Sequence, residues 1–191
     1  NVKKILNKHD IPLHVDGARI FNAAIALNQE VKILANYADS ITCCLSKGLS
    51  SPVGSLIISN SDFIHKARRL RKALGGGMRQ AGILAACGLF SINKMVERLK
   101  EDHYNAHQLA NQLQNFDEIY IDIKNVHTNL IFFNLKTKNI TCQNFIKELL
   151  NYEIKIDYKG NDKFRMVTHY GVKNSDIKII IHALKKIFKN K

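Results

Sequence analysis

No apolar run in these 191 residues approaches the length needed to cross a membrane. No C-x-x-C pair occurs among the four cysteines, Cys43, Cys44, Cys87 and Cys142, so the usual ligand spacing of a zinc site is missing and no metal is expected. There is no internal repeat, no low-complexity tract and no nucleic-acid-binding motif. Acidic residues are few: 16 Asp and Glu stand against 29 Lys and Arg, for a net charge of +13. Such an excess can serve a polyanion or an anionic membrane. Here it is mostly lysine scattered among Asn and Ile, thickening at Lys185, Lys186, Lys189 and Lys191, which is the pattern of a solvated helix face and tail. Neither nucleic acid nor membrane is expected as a partner. The chain begins with Asn1 rather than Met and reads as starting inside a domain, so the lack of a targeting signal carries no weight. Cys43 and Cys44, as strand neighbours, point to opposite faces. The thiols read as small, buried and reduced, in a cytoplasmic setting.

What is present suits a globular fold. Hydrophobic residues make up 46% and charged residues 24%, enough at this length for a real core in one or two domains. A short helix over Val2 to His9, with Val2, Ile5 and Leu6 on its apolar face, stops at Pro12. Leu13 to Val15 forms a strand ending at Asp16, and Gly17-Ala18-Arg19 turns into a helix with Ile20, Phe21, Ala24 and Leu27 on one side. A short helix covers Glu30 to Ala35, and a buried strand follows from Ile41 to Leu45. Strands joined by such a helical crossover run parallel, so Asp16 and Lys47 open onto one edge of the sheet, where α/β folds bind ligands.

A third strand spans Ser55 to Ile58, and Asn60 or Ser61 caps a helix over Asp62 to Leu74. The run Gly75-Gly76-Gly77 ends it. A long helical pattern then extends from Gln80 to about Gln114, with a bend near Ser91 to Asn93. Beyond it the texture changes to short strands (Ile119 to Ile123, Asn129 to Leu135, Ile154 to Asp157, Phe164 to Thr168) and two helices. The first helix, Thr141 to Leu150, is capped by Thr141; the last is capped by Asn174 or Ser175 and buries Ile177, Ile180, Ile181, Leu184 and Phe188. This second part reads as a compact α+β unit.

A lysine at the end of a buried strand, driven toward an apolar interior, usually has a partner or a covalent task. With an acid on the neighbouring strand and arginines at 19, 79 and 165, Lys47 meets the needs of pyridoxal phosphate (PLP): an amine to bind it, an acid for its ring nitrogen, cations for its phosphate and for a carboxylate. The residues alone leave other readings open. Asp16 and Lys47 also suit a structural ion pair, Asp16 a helix cap, and the glycine run a hinge.

Three motifs, HVDGARIFNAA (His14 to Ala24), CLSKGLSSPVGS (Cys44 to Ser55) and RRLRKALGGGMRQAGILAA (Arg68 to Ala86), closely resemble the low-specificity L-threonine aldolases, PLP enzymes of the aspartate-aminotransferase fold type. The resemblance is close from about Pro12 to Leu113 and looser beyond, where TNLIFFNL (Thr128 to Leu135) and RMVTHYG (Arg165 to Gly171) fall on similar strands. It implies an α/β fold: part of the PLP fold-type I large domain, mainly parallel sheet with helices, at residues 1–100, then a small C-terminal α+β domain at residues 101–191. By resemblance Lys47 is the cofactor-anchoring catalytic lysine and Asp16 the acid on the ring nitrogen. Arg19 and Arg165 hold the substrate carboxylate, and Arg79 and Lys72 lie near the cofactor site, in contact with the phosphate or with a neighbouring subunit. Ser46 is a candidate cofactor contact. The implied reaction is retro-aldol cleavage of L-threonine or L-allo-threonine to glycine and acetaldehyde, in a homo-oligomer built as a dimer of dimers. Other readings are a PLP lyase that eliminates at Cβ, or a non-catalytic binding fragment.

The family's phosphate cup, ring-stacking histidine and carboxylate-side serine precede these motifs and have no counterpart here, so the chain alone is expected to be inactive and to expose apolar surface. Ser50-Ser51 and His169-Tyr170-Gly171-Val172 are smaller departures. His103 and His107, four residues apart, have metal-ligand spacing but read as a solvated helix face. His14 reads as a strand residue behind Asp16, and His169 as a lesser candidate for substrate contact.

Overall fold

The computed structural model describes residues 1–189; Asn190 and Lys191, with part of the expected basic tail, lie outside the described residues. The chain divides into two compact units, Asn1–Leu99 and Lys100–Lys191.

The first unit contains α1 (Val2–Asn7), β1 (His14–Asp16), α2 (Ile20–Leu27), α3 (Val31–Ala35), β2 (Ser40–Cys44), β3 (Ser55–Ser59), α4 (Ser61–Ala73) and α5 (Gly82–Phe90). Its sheet has the order β1-β2-β3. β1 and β2 are parallel, with His14 opposite Ser40 and Asp16 opposite Thr42. The helical crossover therefore does what its length requires. β3 returns antiparallel to β2, so within these strands one pairing is parallel and one antiparallel. Asn60 caps α4 by accepting the Phe63 amide at 2.9 Å.

Alternation along β2 turns Ile41 and Cys43 to one face, where both are buried. Leu45, Leu49 and Leu99 form a small core, against which Phe21, Ile25, Ile92, Met95 and Val96 pack. Much else that is apolar stays uncovered. The apolar face expected on α1 is uncovered: Val2 and Ile5 are exposed, and no residue of α1 is buried. Leu27 is likewise exposed on α2, and Leu74 and Ile83 reach 85% and 78% exposure.

The single long helix expected from Gln80 to Gln114 is interrupted at the expected bend. α5 passes into a π-helical turn at Ser91–Met95, and α6 (Leu99–Leu113) follows. Such a turn holds one residue more than an α-helical turn, which offsets the helical register at that point.

The second unit takes α6 from Lys100 onward, β4 (Ile119–Tyr120), β5 (Leu130–Leu135), α7 (Cys142–Leu150), β6 (Asp157–Tyr158), β7 (Lys163–Val167) and α8 (Asn174–Lys189). Its antiparallel sheet has the order β4-β5-β7-β6. One continuous core joins α6, β5, α7, β7 and α8 around Phe133, Phe145 and Phe164. Thr141 caps α7 through the Asn144 amide at 3.2 Å, as expected. α8 starts differently from expectation: the Asp176 carboxylate, inside the first turn, accepts the Lys173 amide at 2.7 Å. The strand expected over Ile154 to Asp157 shrinks to Asp157–Tyr158, and the one over Ile119 to Ile123 to two residues.

The face of α6 that carries His103 is not solvated. Asp102 is 0% exposed and His103 is buried. Burial first, and then the neighbouring His107, hold the His103 imidazole below the ordinary histidine value. Thr168 donates to the Asp102 carbonyl at 2.6 Å, and Asn105 donates to the Val172 carbonyl at 3.0 Å, so polar bonds fasten α6 to the segment between β7 and α8. Among the described residues no cluster of His, Cys, Asp and Glu could hold a metal, and no helix is long and apolar enough to cross a membrane.

Candidate active site

Parallel pairing puts the carboxyl ends of β1 and β2 side by side, and two glycines bring their loops close. Asp16 is the last residue of β1 and is exposed. Its Oδ1 accepts the Ala18 amide at 3.1 Å, and Gly17 O accepts the Ile20 amide at 2.9 Å, so a tight turn leads from the acid into α2. A Cβ on Gly17 would come within 2.7 Å of Thr42 O and 2.9 Å of the Ile41 side chain. Only glycine lets this turn lie against β2.

Lys47 stands in the bend after β2 and is exposed, not driven into the interior as its sequence context suggests. The residues around it supply the burial. Leu45 and Leu49 are both in the core, and Gly48 is buried between them. A Cβ on Gly48 would meet Leu99 Cδ2 at 2.9 Å and Asn22 Oδ1 at 3.1 Å. The loop is closed by backbone bonds: Ser50 N–H to Lys47 O at 2.9 Å, Ser51 N–H to Leu45 O at 2.9 Å, and Leu45 N–H to Gly54 O at 3.0 Å. The amine is thus carried outward on a bend whose base is pinned.

Asn22 is a site-supporting residue that the sequence reading missed. It is 3% exposed, on α2, directly under Gly48. Its signal was a lone amide inside the apolar helix IFNAAIAL. Cys44 was also misjudged. Cys43 is buried as expected, but Cys44 is half-exposed on the same strand face as Thr42, the register partner of Asp16. Desolvation pushes the Cys44 thiol up, yet hydrogen bonds from Ser46 and Ser55 and the charge of Lys47 outweigh it and bring the thiol below its ordinary value. Its Sγ lies 3.4 Å from Ser46 Oγ, so Ser46 already has a partner.

The remaining candidates are spread more widely. Arg19 occupies the N-cap position of α2, three residues from Asp16 in the same turn, and is half-buried. Arg79 lies in the exposed segment between α4 and α5, and Lys72 is exposed at the end of α4. Among the described residues no bond joins either of them to Asp16 or Lys47. The same holds between Asp16 and Lys47, so the two do not form the ion pair left open by their spacing. Arg165 belongs to the second unit, on β7, where its Nη2 is 2.5 Å from Asp157 Oδ2. His14 is held by Ser40, with Nδ1 and Oγ 2.9 Å apart, and His169 Nδ1 accepts the Gly171 amide at 3.1 Å.

The first unit therefore brings together an exposed amine, an exposed carboxylate and a nearby guanidinium at one end of a parallel strand pair. That donor set fits a cofactor that takes an amine covalently and has a ring nitrogen to be held protonated.

A family model described as beta-eliminating lyase matches residues 1–137. Among curated proteins, low-specificity L-threonine aldolase 1 of Arabidopsis thaliana is 40% identical over 177 residues, covering 92% of this chain and 49% of that protein. The low specificity L-threonine aldolase of Escherichia coli K12 is 42% identical over 170 residues, covering 89% of this chain and 49% of that protein. The chain spans about half the length of the curated relatives it matches. Among solved structures, a Leishmania major threonine aldolase superposes with a TM-score of 0.73 at 18% identity, over 97% of this chain and 54% of that one. The L-threonine-O-3-phosphate decarboxylase of Porphyromonas gingivalis gives 0.71 at 17% identity, over 98% and 58%. At these identities the superpositions establish the fold alone.

Proposed function

From a chain that belongs to the beta-eliminating lyase family, we propose that Lys47 and Asp16 form the anchoring half of a PLP site. The reaction is retro-aldol cleavage of L-threonine or L-allo-threonine to glycine and acetaldehyde. The observation that carries this reading is the placement of Asp16 and Lys47 at the carboxyl ends of parallel β1 and β2. The relatives named as threonine aldolases supply the substrate class.

When bound, the cofactor supplies an electron sink for charge that develops at the substrate Cα. Lys47 Nζ would hold it covalently, on a bend that Gly48, Asn22 and Leu99 keep in place. Asp16 would keep a proton on its ring nitrogen, and the Ala18 amide fixes the orientation of that carboxylate. Arg79, with Lys72 near it, would serve the phosphate or a subunit contact. Arg19 and Arg165 would hold the substrate carboxylate, since a guanidinium matches a carboxylate in two-pronged fashion. Fixing that group sets the direction of the Cα–Cβ bond, which is an orientation effect. Cleavage moves the β-hydroxyl proton to a base and leaves the bonding pair at Cα. Assembly as a homo-oligomer and a cytoplasmic setting belong to the same proposal.

A second reading has one observation in its favour, the description of the family model. β-Elimination would yield a keto acid and ammonia in place of glycine and an aldehyde. The test uses the natural full-length polypeptide with PLP and L-threonine. Acetaldehyde with stoichiometric glycine, and loss of the imine absorption band in Lys47→Ala, are expected. A band that survives Lys47→Ala overturns the assignment of Lys47. Ammonia with a keto acid overturns the aldolase reading in favour of elimination.

A further inference from the structure

Arg165 is not a free guanidinium waiting for a ligand. β6 is an edge strand, and its pairing with β7 places Asp157 directly opposite Arg165. Side chains of directly opposed residues meet on the same face of an antiparallel pair. Arg165 Nη2 reaches Asp157 Oδ2 at 2.5 Å, and Lys159 Nζ reaches the same oxygen at 2.7 Å.

We propose that Asp157 is a positioning residue for Arg165, holding its guanidinium in the orientation that receives the carboxylate of the amino-acid substrate. The inference rests on the role given to Arg165 above.

Three features support it. First, the contact is fixed by register and not by chance rotamers. The hairpin is locked by Lys159 N–H to Lys163 O at 2.8 Å and Lys163 N–H to Gly160 O at 2.9 Å. Gly160, Asn161 and Asp162 all adopt positive φ in its turn, which holds the strands in this alignment. A slip of one residue would send Asp157 to the other face. Second, Asp157 does not cancel the charge of Arg165. It is shared with Lys159, so two cations and one anion leave a net positive charge beside the guanidinium. An anion is still attracted there. Third, Arg165 retains capacity. Its side chain is 29% exposed, and only Nη2 is engaged by Asp157. An arginine has five N–H donors, so a tether at Nη2 leaves others for a ligand. The hydrogen bond from Lys159, followed by the influence of Arg165, holds the Asp157 carboxyl below its ordinary value despite some desolvation, so it is ionised throughout the neutral range.

The test measures equilibrium binding, not turnover. Glycine and glycinamide, which lacks the carboxylate, are titrated into the cofactor-loaded full-length polypeptide and its variants. Asp157→Asn should weaken glycine binding about tenfold, the scale of one charge-assisted hydrogen bond mis-set, and leave glycinamide unchanged. Asp157→Glu, which keeps the charge, should restore most of the glycine affinity. Lys159→Met, an exposed change that spares the sheet, should weaken glycine by about threefold because Asp157 then neutralises Arg165 more fully. It carries the test if Asp157→Asn does not fold. Glycine binding that stays the same or tightens in Asp157→Asn, or in Lys159→Met where that variant stands in, overturns the proposal, because Asp157 is then a bystander or a competitor. Arg165→Gln separates the two levels. If it abolishes the preference for glycine while Asp157→Asn does not, only the positioning role fails. If Arg165→Gln keeps the preference, the role of Arg165 fails and this inference with it.

Discussion

Alanine at position 17 probes how the site is built more directly than any change to its charged groups. The added Cβ would stand 2.7 Å from Thr42 O and 2.9 Å from two carbons of Ile41. An unstrained carbon–oxygen contact needs about 3.3 Å, so the turn or the strand must give by roughly half an ångström. Neither gives easily. Thr42 O is backbone of the central strand, and Ile41 is buried beneath it. Overpacking of this kind typically costs about 1–3 kcal/mol. With a urea dependence of about 1.5 kcal/mol/M for a unit of this size, the unfolding midpoint should fall by roughly 1–2 M. The contrast is Gly82→Ala. Apart from its own helix backbone and chain neighbours, nothing lies within 4 Å of that Cβ, at the start of α5, and alanine favours helix over glycine by up to about 1 kcal/mol. Hydrogen exchange under increasing urea, read on β2 peptides for the first unit and α7 peptides for the second, separates local from global effects. The Gly17→Ala loss should be confined to the first unit and accompanied by weaker cofactor retention. If Gly17→Ala moves the β2 midpoint no further than Gly82→Ala, the close approach of turn and strand is not what places Asp16.

Two more outcomes are expected. Phe145 is fully buried, edge-on to Phe164 at 5.3 Å and stacked on Phe188 at 5.8 Å. Phe145→Ala should cost about 3–5 kcal/mol in the second unit, and a loss under about 1 kcal/mol in α8 exchange would show that the cluster does not hold that core. Cys44 has a lowered thiol pKa and partial exposure, whereas burial raises Cys43 and Cys142. A lowered value means more thiolate at neutral pH, so iodoacetamide should modify Cys44 first, with a rate that levels off below the pH at which an ordinary thiol would. Equal labelling of Cys43 and Cys44 in the native protein would contradict the geometry.

The parts of this fold that local chemistry dictates were legible in the residues. Asn60 and Thr141 are N-caps because a short polar side chain can reach back to the third amide beyond it. β1 and β2 are parallel because two helices intervene. The bend at Ser91 was foreshadowed by polar residues within an apolar helix. What failed needed tertiary information. Periodicity groups Val2 with Ile5 and places Leu27 on the apolar side of α2, but a periodic stripe says only which residues lie together, and these three stay uncovered. His103 and Asp102 look like a polar face, yet Thr168 and Val172, more than sixty residues on, come back to meet that helix and bury it. Asn22 was passed over because a buried amide announces itself only when its partners are in place.

The lysine itself shows why that difference matters for chemistry. Its apolar neighbours suggested an amine forced inside and activated by desolvation. The bend instead distributes the residues by need. Leu45 and Leu49 go into the core, Gly48 goes down against Asn22 and Leu99, and Lys47 goes out. Glycine at 48 is therefore the buried residue of the motif. The amine is thus presented by the backbone of the bend rather than enclosed by its own sequence neighbours. This explains why Lys and Gly are adjacent, and Asp and Gly likewise at 16 and 17. In each pair the charged group faces outward, and the glycine lets the backbone come close enough to hold it there.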